Sequence, residues 1–250
     1  MKDCPRLFAD PAGKSPMEAD AVRDLEPGQA HYLGTVMRMA PGAEVALFNA
    51  GDGEWLASLV AVRRDRAQVR LLHRRRAPEP VCGPVLLFAP LKRDATDMVV
   101  RMGTELGVTR FLPVLTERTN THRVNVGRLE AIAMEAAEQC ERLDVPTIGE
   151  PARLPEQLAA WPAGSTLFVA AERGGPDDGV GEIDRVADGD GLLVGPEGGF
   201  SDAERRMLRA RPFVRMITLG KRILRADTAA ACGLSLMGAG FRRASGADSR

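Results

Sequence analysis

The chain has 250 residues, of which 44% are hydrophobic, and its 34 basic and 34 acidic residues give a formal net charge of zero. This length suits one large domain or two modest domains with ordinary hydrophobic cores. Zero net charge excludes binding of nucleic acid through a global positive field, so such binding needs a local basic patch. The sequence has no apolar run long enough to cross a bilayer, no signal-peptide stretch at its N-terminus and no CxxC pair, which predicts a protein of the reducing cytoplasm.

The first part of the chain predicts a small β domain over residues 1–74. Its short apolar runs, among them 44–48 and 55–60, have the composition of strands, and Asn-Ala-Gly-Asp-Gly at 49–53 is turn chemistry between them. The segment 75–84 contains three prolines, which neither a helix nor a central strand tolerates well. We therefore expect a β meander or small barrel, followed by a linker over 75–84.

Beyond the linker, strands alternate with helices. This pattern predicts an α/β domain over residues 85–243, with a mostly parallel sheet covered on both faces, and a tail over 244–250. Apolar periodicity predicts helices over 94–106, with Gly107 as a left-handed cap, and over 126–142. The predicted buried strands lie at 85–89, 110–115, 166–170, 191–194 and 214–219.

The most informative loop follows the predicted strand 191–194. Its sequence, Gly-Pro-Glu-Gly-Gly-Phe at 195–200, leads into Ser201, which together with Glu204 predicts a capping box at a helix start. Ligands of open α/β sheets bind just beyond the carboxyl ends of strands, and glycines let the backbone approach a flat ligand closely. The alternative is that these glycines only make a sharp connection. The loop matches neither GxxxxGKS/T nor GxGxxG, so phosphate cradling is a weak interpretation.

A second loop, from Gly220 to Arg225, follows the predicted strand 214–219 and precedes an alanine-rich helix. Asp227 or Thr228 near that helix start is good capping chemistry. Arg225 is different, because an arginine at a helix N-terminus opposes the macrodipole and is better explained by an anionic or polarised group in front of it. A phosphate or a polarised carbonyl would serve.

Together these two loops resemble a known family. Residues 195–201 and 219–229 are similar to segments of the bacterial family that methylates N3 of a uracil in small-subunit ribosomal RNA, which belongs to the SPOUT class of methyltransferases. The chain departs from that family where Arg225-Ala226-Asp227 replaces Arg-Thr-Glu, which keeps the negative charge, and where Glu141-Arg142 replaces Gly-Arg. Further similar segments lie at 31–33, 36–38, 41–42, 91–92, 104–108 and 135–139.

The resemblance implies an α/β fold: a trefoil-knotted SPOUT methyltransferase domain with a small N-terminal PUA-like β-barrel domain that grips RNA. It also implies S-adenosylmethionine as the cofactor, ribosomal RNA of the small subunit as the partner, and a homodimer. The cofactor is expected to lie bent in the knot, held largely by backbone. The cofactor-binding residues that the resemblance implies are Ala171, Gly195, Pro196, Glu197, Gly198, Leu219, Gly220, Ile223, Leu224, Thr228 and Ala229.

The expected chemistry needs a methyl acceptor held in line and a proton removed from N3. Our hypothesis is that Arg225 stabilises negative charge on a uracil carbonyl oxygen, and that Asp227 or Glu197 accepts the proton, directly or through water. No metal is expected, because His31, His73 and His122 are isolated and lack zinc spacing. A calcium site at the adjacent aspartates 177 and 178 is a weaker interpretation than a solvated turn.

A basic cluster closes the first domain and is the expected RNA contact, although such a run is also typical of a plain solvated face. Two other functions stay open on sequence alone: a non-catalytic RNA-binding protein, and an α/β enzyme that uses a different nucleotide such as ATP or NAD. The candidate RNA-binding residues are Arg38, Arg63, Arg64, Arg66, Arg74, Arg75 and Arg142.

Overall fold

In the computed structural model, the described residues are 4–10, 15–120, 123–170, 183 and 185–247, with the backbone alone described over 242–247. They form two compact units. The first comprises the chain up to Val81 together with Ala137–Val145, and the second comprises Cys82–Ala136 and the chain from Pro146 onward. The predictions for Ala171, His122 and the aspartates 177 and 178 lie outside the described residues.

The first unit is built on a five-stranded sheet. Its elements are β1 (Arg6–Phe8), β2 (Val22–Asp24), α1 (Pro27–His31) continued by a π-helical turn (Tyr32–Val36), β3 (Glu44–Asn49), β4 (Gly53–Val62) and β5 (Ala67–Arg76). The strand order is β1-β3-β4-β5-β2, with β1 parallel to β3 and the other neighbours antiparallel. Buried and exposed residues alternate at the start of β5, so Ala67, Val69 and Leu71 face the core of this unit.

The second unit carries the alternation of strands and helices that the sequence predicts. Its elements are β6 (Val85–Phe88), α2 (Arg93–Glu105), β7 (Arg110–Leu115), α3 (Val126–Gln139), β8 (Thr147–Ile148), β9 (Ala152–Arg153), α4 (Leu154–Ala159), β10 (Leu167–Ala170), β11 (Gly191–Val194), α5 (Asp202–Arg209), β12 (Val214–Ile217) and α6 (Ala226–Ala247). Helix α3 begins in the second unit, and its last three residues count with the first.

All strand pairs of the second unit are parallel, as predicted, and run in the order β12-β10-β11-β6-β7-β8, with β9 also pairing with β7. Every residue of β6 and β11 is buried, which is why both read as continuous apolar runs rather than alternating ones. At the start of β11, a Cβ on Gly191 would lie 2.4 Å from the Trp161 ring, so this position packs too closely for a side chain.

Two residues with a left-handed backbone follow the ends of α2 and α3, one as predicted and one not. Gly107 has φ +88°, which confirms it as the cap that follows α2. Helix α3 stops at Gln139 rather than at 142, because Glu141 has φ +62° and cannot continue a right-handed helix. This is the position where the resembling family carries glycine, the residue that adopts such a φ without steric cost.

Arg6 in β1 holds the end of α3. Its guanidinium donates to the backbone carbonyls of Ala137, Glu138 and Arg142 at 2.8–3.2 Å. The last carbonyls of a helix have no partner within the helix, so these bonds satisfy acceptors that would otherwise lack one. Glu54 Oε2 accepts from Arg6 Nε at 2.8 Å and balances its charge. This part of the chain therefore belongs with the first unit.

Two observed ends lie beyond the predicted boundaries. Strand β5 continues to Arg76, two residues into the predicted linker, and helix α6 continues to Ala247, past the predicted domain end at 243. Within the described part of the chain, no helix combines the length and apolar character that a membrane span requires.

Candidate active site

The candidate site lies at the carboxyl ends of three neighbouring parallel strands. Strand β10 lies between β12 and β11, so Ala170, Val194 and Ile217 end at the same edge of the sheet. The residues after β11 and those after β12 therefore meet in front of β10, although they are distant in sequence. Between them is an open cleft of about 660 Å³, a volume that includes the solvent at its mouth.

The wall of the cleft is mostly apolar side chains and glycine backbone, with two arginines. Its described residues include no aspartate or glutamate. They are Ala170, Val194, Gly195, Pro196, Gly199, Phe200, Arg205, Thr218, Leu219, Gly220, Arg222, Leu224, Ala226 and Ala229.

The loop after β11 is a tight turn that needs its glycines. Gly199 has φ +64°, and its N–H donates to the carbonyl of Pro196 at 2.8 Å. A Cβ on Gly195 would lie 3.0 Å from the ring of Phe200, so a side chain there would displace the aromatic wall of the cleft. Gly195 and Gly199 thus give this turn its shape, and the close approach of a ligand to its backbone stays a prediction.

The predicted capping box fixes the start of α5. The N–H of Glu204 donates to Ser201 Oγ at 3.2 Å, and the N–H of Ser201 donates to Glu204 Oε2 at 2.9 Å. The second carboxylate oxygen has a partner that the sequence did not indicate: the N–H of Glu117, in the loop after β7, donates to Glu204 Oε1 at 2.8 Å. Glu204 is only 4% exposed, so this carboxylate joins two loops from inside the structure.

Arg118 makes a second connection between the same loops. Its Nη1 donates to the carbonyl of Gly198 at 2.8 Å, and its aliphatic stem lies 3.4 Å from where a Gly198 Cβ would stand. The loop after β7 thus holds both the loop after β11, at Gly198, and the start of α5, at Glu204.

The loop after β12 is shaped by Thr218 and Gly220. Thr218 Oγ1 lies within hydrogen-bond distance of both the N–H and the carbonyl of Gly220, at 3.3 and 3.2 Å, and Gly220 has φ +118°. Helix α6 then begins at Ala226, with the carbonyl of Arg225 accepting from the N–H of Ala229 at 2.8 Å. Asp227 lies in the first turn of the helix rather than at its N-cap, and its Oδ1 accepts from the N–H of the next residue, Thr228, at 2.7 Å.

The structure brings only part of the predicted site into the cleft wall. Arg225 and Glu197 are exposed and Asp227 is half-buried, and none of the three lines the cleft, although Leu224 and Ala226 on either side of Arg225 do. The candidate residues do not include Phe200 and Arg222, although both lie in the two loops that the sequence singles out. Arg205 lies outside both loops and reads as an ordinary helix residue. The predicted cofactor residues in the wall are Gly195, Pro196, Leu219, Gly220, Leu224 and Ala229, and those beside it are Glu197, Gly198, Ile223 and Thr228.

The candidate RNA-binding residues fall into two groups. Arg38, Arg63, Arg64, Arg66, Arg74 and Arg75 are exposed in the first unit, where Arg74 also lies over the Trp55 ring at 5.3 Å. Arg142 differs: its side chain is 13% exposed and pairs with Asp144, while its carbonyl accepts from Arg6. It supports the first unit rather than presenting a free charge, because its guanidinium is already engaged within the chain. Among the described residues, no group of three or more His, Cys, Asp or Glu is placed to hold a metal ion.

Comparison with known proteins decides the family. A family model described as an RNA methyltransferase domain matches residues 78–238, and one described as an RNA methyltransferase PUA domain matches 25–72. The chain is 32% identical to the ribosomal RNA small subunit methyltransferase E of Rickettsia conorii over 202 residues, which cover 80% of this chain and 82% of that protein. The chain belongs to the ribosomal RNA small subunit methyltransferase E family.

Other members and solved structures agree with this assignment. The methyltransferase E of Synechocystis is 32% identical over 227 residues, covering 88% of this chain and 74% of its own. A candidate methyltransferase of Legionella pneumophila, solved in complex with the cofactor S-adenosylmethionine, superposes with a TM-score of 0.80 at 26% identity, covering 96% of this chain and 98% of its own. A Neisseria gonorrhoeae methyltransferase E, at 24% identity and a TM-score of 0.83 over 96% of this chain and 98% of its own, shares the fold. The second unit is thus an α/β methyltransferase domain, and the first carries a PUA-like domain.

We expect Glu204→Gln to lower the free energy of unfolding by about 1–3 kcal/mol. A glutamine has one carbonyl acceptor where the carboxylate has two oxygens, so the N–H of either Ser201 or Glu117 loses its partner inside the structure. Urea unfolding of the wild-type and variant proteins measures the change. Glu117→Gln is the matched control, because only the backbone of Glu117 takes part; an equal loss in both variants would contradict the proposed link between the loops.

Proposed function

We propose that this chain transfers a methyl group from S-adenosylmethionine to N3 of a specific uridine in the 16S ribosomal RNA of the small subunit. One observation carries the proposal: two loops of a family member meet in a single cleft at the carboxyl edge of a parallel sheet. The relatives named for small-subunit ribosomal RNA support the substrate class. The uridine N3 position rests on the resemblance of residues 195–201 and 219–229.

The residues present fit this cofactor. The cleft has a mostly apolar wall, which suits a flat purine, and glycine turns in which backbone rather than side chains would face the ligand. In this proposal, backbone of the loops at 195–198 and 219–224 holds the cofactor, with Ala229 behind it. When bound, S-adenosylmethionine supplies a methyl group made electrophilic by a positive sulfonium.

The finer architecture is also part of the proposal. The second unit is assigned to the SPOUT class, with the loops after β11 and β12 forming its trefoil knot; a strand order with β10 between β11 and β12 is consistent with such threading. The working form is a homodimer in the cytoplasm, where its ribosomal RNA substrate is made. Leu236 on α6, 45% exposed in the single chain, fits an interface between protomers.

The chain's own residues then perform three tasks. Arg225 holds the uracil carbonyl oxygen next to N3 and stabilises the negative charge that develops there. Asp227 or Glu197 accepts the N3 proton, directly or through water. The two loops hold the base in line with the methyl donor and keep water away from it.

The direct test incubates the purified protein with S-adenosylmethionine and either deproteinised 16S ribosomal RNA or isolated small subunits. Nucleosides from the product are analysed by mass spectrometry, and we expect 3-methyluridine, at one position, in the protein-dependent reaction. RNA that is bound but not methylated in both forms would support the non-catalytic alternative and contradict the proposal.

We expect Arg225→Ala to reduce kcat by about a hundredfold or more while changing cofactor affinity by less than about threefold. The reason is that Arg225 is exposed beside the cleft and acts on charge that exists only during transfer. Steady-state kinetics and calorimetric titration measure the two quantities. Arg215→Ala removes an exposed cation on β12 and should change neither quantity. Equal losses of kcat and of affinity in Arg225→Ala would place Arg225 in cofactor binding instead.

The RNA contact is assigned to a basic patch defined by Arg38, Arg63, Arg64 and Arg66. The last three come from the tight turn between β4 and β5, which is closed by the Arg63 N–H donating to the Arg66 carbonyl at 2.8 Å. The π-helical turn before Arg38 packs against the same place, since a Cβ on Gly34 would lie 3.4 Å from the Arg63 carbonyl. Local positive charge of this kind compensates for the zero net charge of the chain.

We expect binding of single-stranded ribosomal RNA fragments to weaken with salt, and Arg64→Ala to make the slope of log affinity against log salt shallower by about 0.7. A change of this size corresponds to one fewer phosphate neutralised by the protein. Fluorescence anisotropy at several salt concentrations measures the slope. Arg110→Ala, which removes an exposed arginine at the start of β7, serves as the control. An unchanged slope in Arg64→Ala would remove the β4–β5 turn from the interface.

A further inference from the structure

The cleft wall contains two arginines to which the proposed mechanism gives no task, Arg205 and Arg222. Both arginines reach solvent and add positive charge to a largely apolar wall. The described wall offers no carboxylate of its own. The cleft therefore presents positive charge, which favours a ligand with an anionic group.

Of the two, Arg205 is the better fixed. It is the fourth residue of α5, immediately after the capping-box glutamate that is anchored at both carboxylate oxygens, and its N–H donates to the Ser201 carbonyl at 2.9 Å. Its side chain is 30% exposed. Arg222, by contrast, is exposed in a loop that follows Gly220. The backbone that carries the Arg205 side chain is therefore held in place at the edge of the cleft.

The ion pair between Arg205 and Asp202 leaves most of the guanidinium charge available. Arg205 Nη2 lies 3.4 Å from Asp202 Oδ1, and the Asp202 side chain is 83% exposed. An ion pair with so exposed a partner is weak and is easily replaced. The guanidinium has five N–H donors, so a second carboxylate can be bound while this contact persists.

The geometry points to Arg205 as the residue that recognises the carboxylate of the methionine part of S-adenosylmethionine, an inference that rests on the proposed function. That carboxylate is the only anionic group of the molecule; its ammonium and sulfonium groups are both positive. A planar guanidinium binds a carboxylate through two parallel hydrogen bonds, which gives orientation as well as affinity. Arg205 thereby fixes one end of the cofactor, while the glycine loops hold the remainder.

Decarboxylated S-adenosylmethionine isolates this interaction, because it keeps the sulfonium, the ammonium and the adenosine. By calorimetric titration we expect the wild-type protein to bind S-adenosylmethionine about ten to a hundred times more tightly than the decarboxylated compound, the range for hydrogen bonds to a charged group. In Arg205→Ala the ratio should fall to about 1–3, and Arg205→Lys should restore part of it. Arg206→Ala, the exposed neighbour on the same helix, is the control and should keep the wild-type ratio.

The outcomes separate this inference from the function on which it rests. Wild-type protein that binds both compounds equally, or Arg205→Ala that keeps the wild-type ratio while its circular dichroism shows it folded, overturns the role of Arg205 and leaves the methyltransferase function standing. Wild-type protein that binds neither compound overturns both. An Arg205→Ala variant that keeps the ratio but loses affinity for ribosomal RNA assigns the arginine to a phosphate, which also overturns the inference.

Discussion

The structure depends on one arrangement of strands. Because β10 lies between β11 and β12 in a parallel sheet, two loops that follow separate strands open onto the same edge. Neither loop alone encloses a ligand: the first provides a glycine turn with an aromatic wall, and the second a left-handed turn at Gly220 and the start of α6. The cleft exists only where they meet.

A cleft made of loops needs support, and here a third loop, the one after β7, provides it. The loop after β7 donates a backbone N–H to the buried Glu204 carboxylate and a guanidinium N–H to the Gly198 carbonyl. Glu204 thus caps its own helix and also ties that helix to a neighbouring loop. Fixing the first turn of α5 in this way holds the backbone of Arg205, the next residue, beside the cleft.

The positive charge of the molecule is distributed by task. In the first unit, Arg6 and Arg142 are engaged within the fold at the end of α3 and just after it. The arginines of the β4–β5 turn remain exposed. In the second unit, two arginines line the cleft. A chain of zero net charge can in this way offer separate cationic surfaces to a large polyanion and to a small ligand.

Local patterns in the sequence are sufficient to predict the features that depend on neighbouring residues. The capping box of Ser201 and Glu204, the Gly107 cap and the two loops at strand ends are examples. Features that depend on distant residues could not be predicted: the bond from Glu117 to Glu204 joins positions 87 residues apart. In the sequence, Arg205 looks like any polar residue of an amphipathic helix. Its place beside the cleft depends on where the sheet positions the first turn of α5.

The ends of helices show the same division. The early end of α3 follows from a left-handed Glu141, and nothing in that residue's type indicates such a conformation, whereas a glycine would have done so. Arg142 is a candidate RNA contact by its residue type, and in the fold its guanidinium pairs with Asp144. A residue-by-residue likeness carries the type of side chain but not its partners.

Hydrogen exchange with and without S-adenosylmethionine, followed by mass spectrometry, tests most directly whether two separate loops form one ligand site. Peptides that cover residues 195–201 and 218–225 should gain protection together, at the same ligand concentration, while peptides of β1–β5 remain unchanged. Protection of only one of the two loops, or protection of neither in the folded protein, would contradict the account.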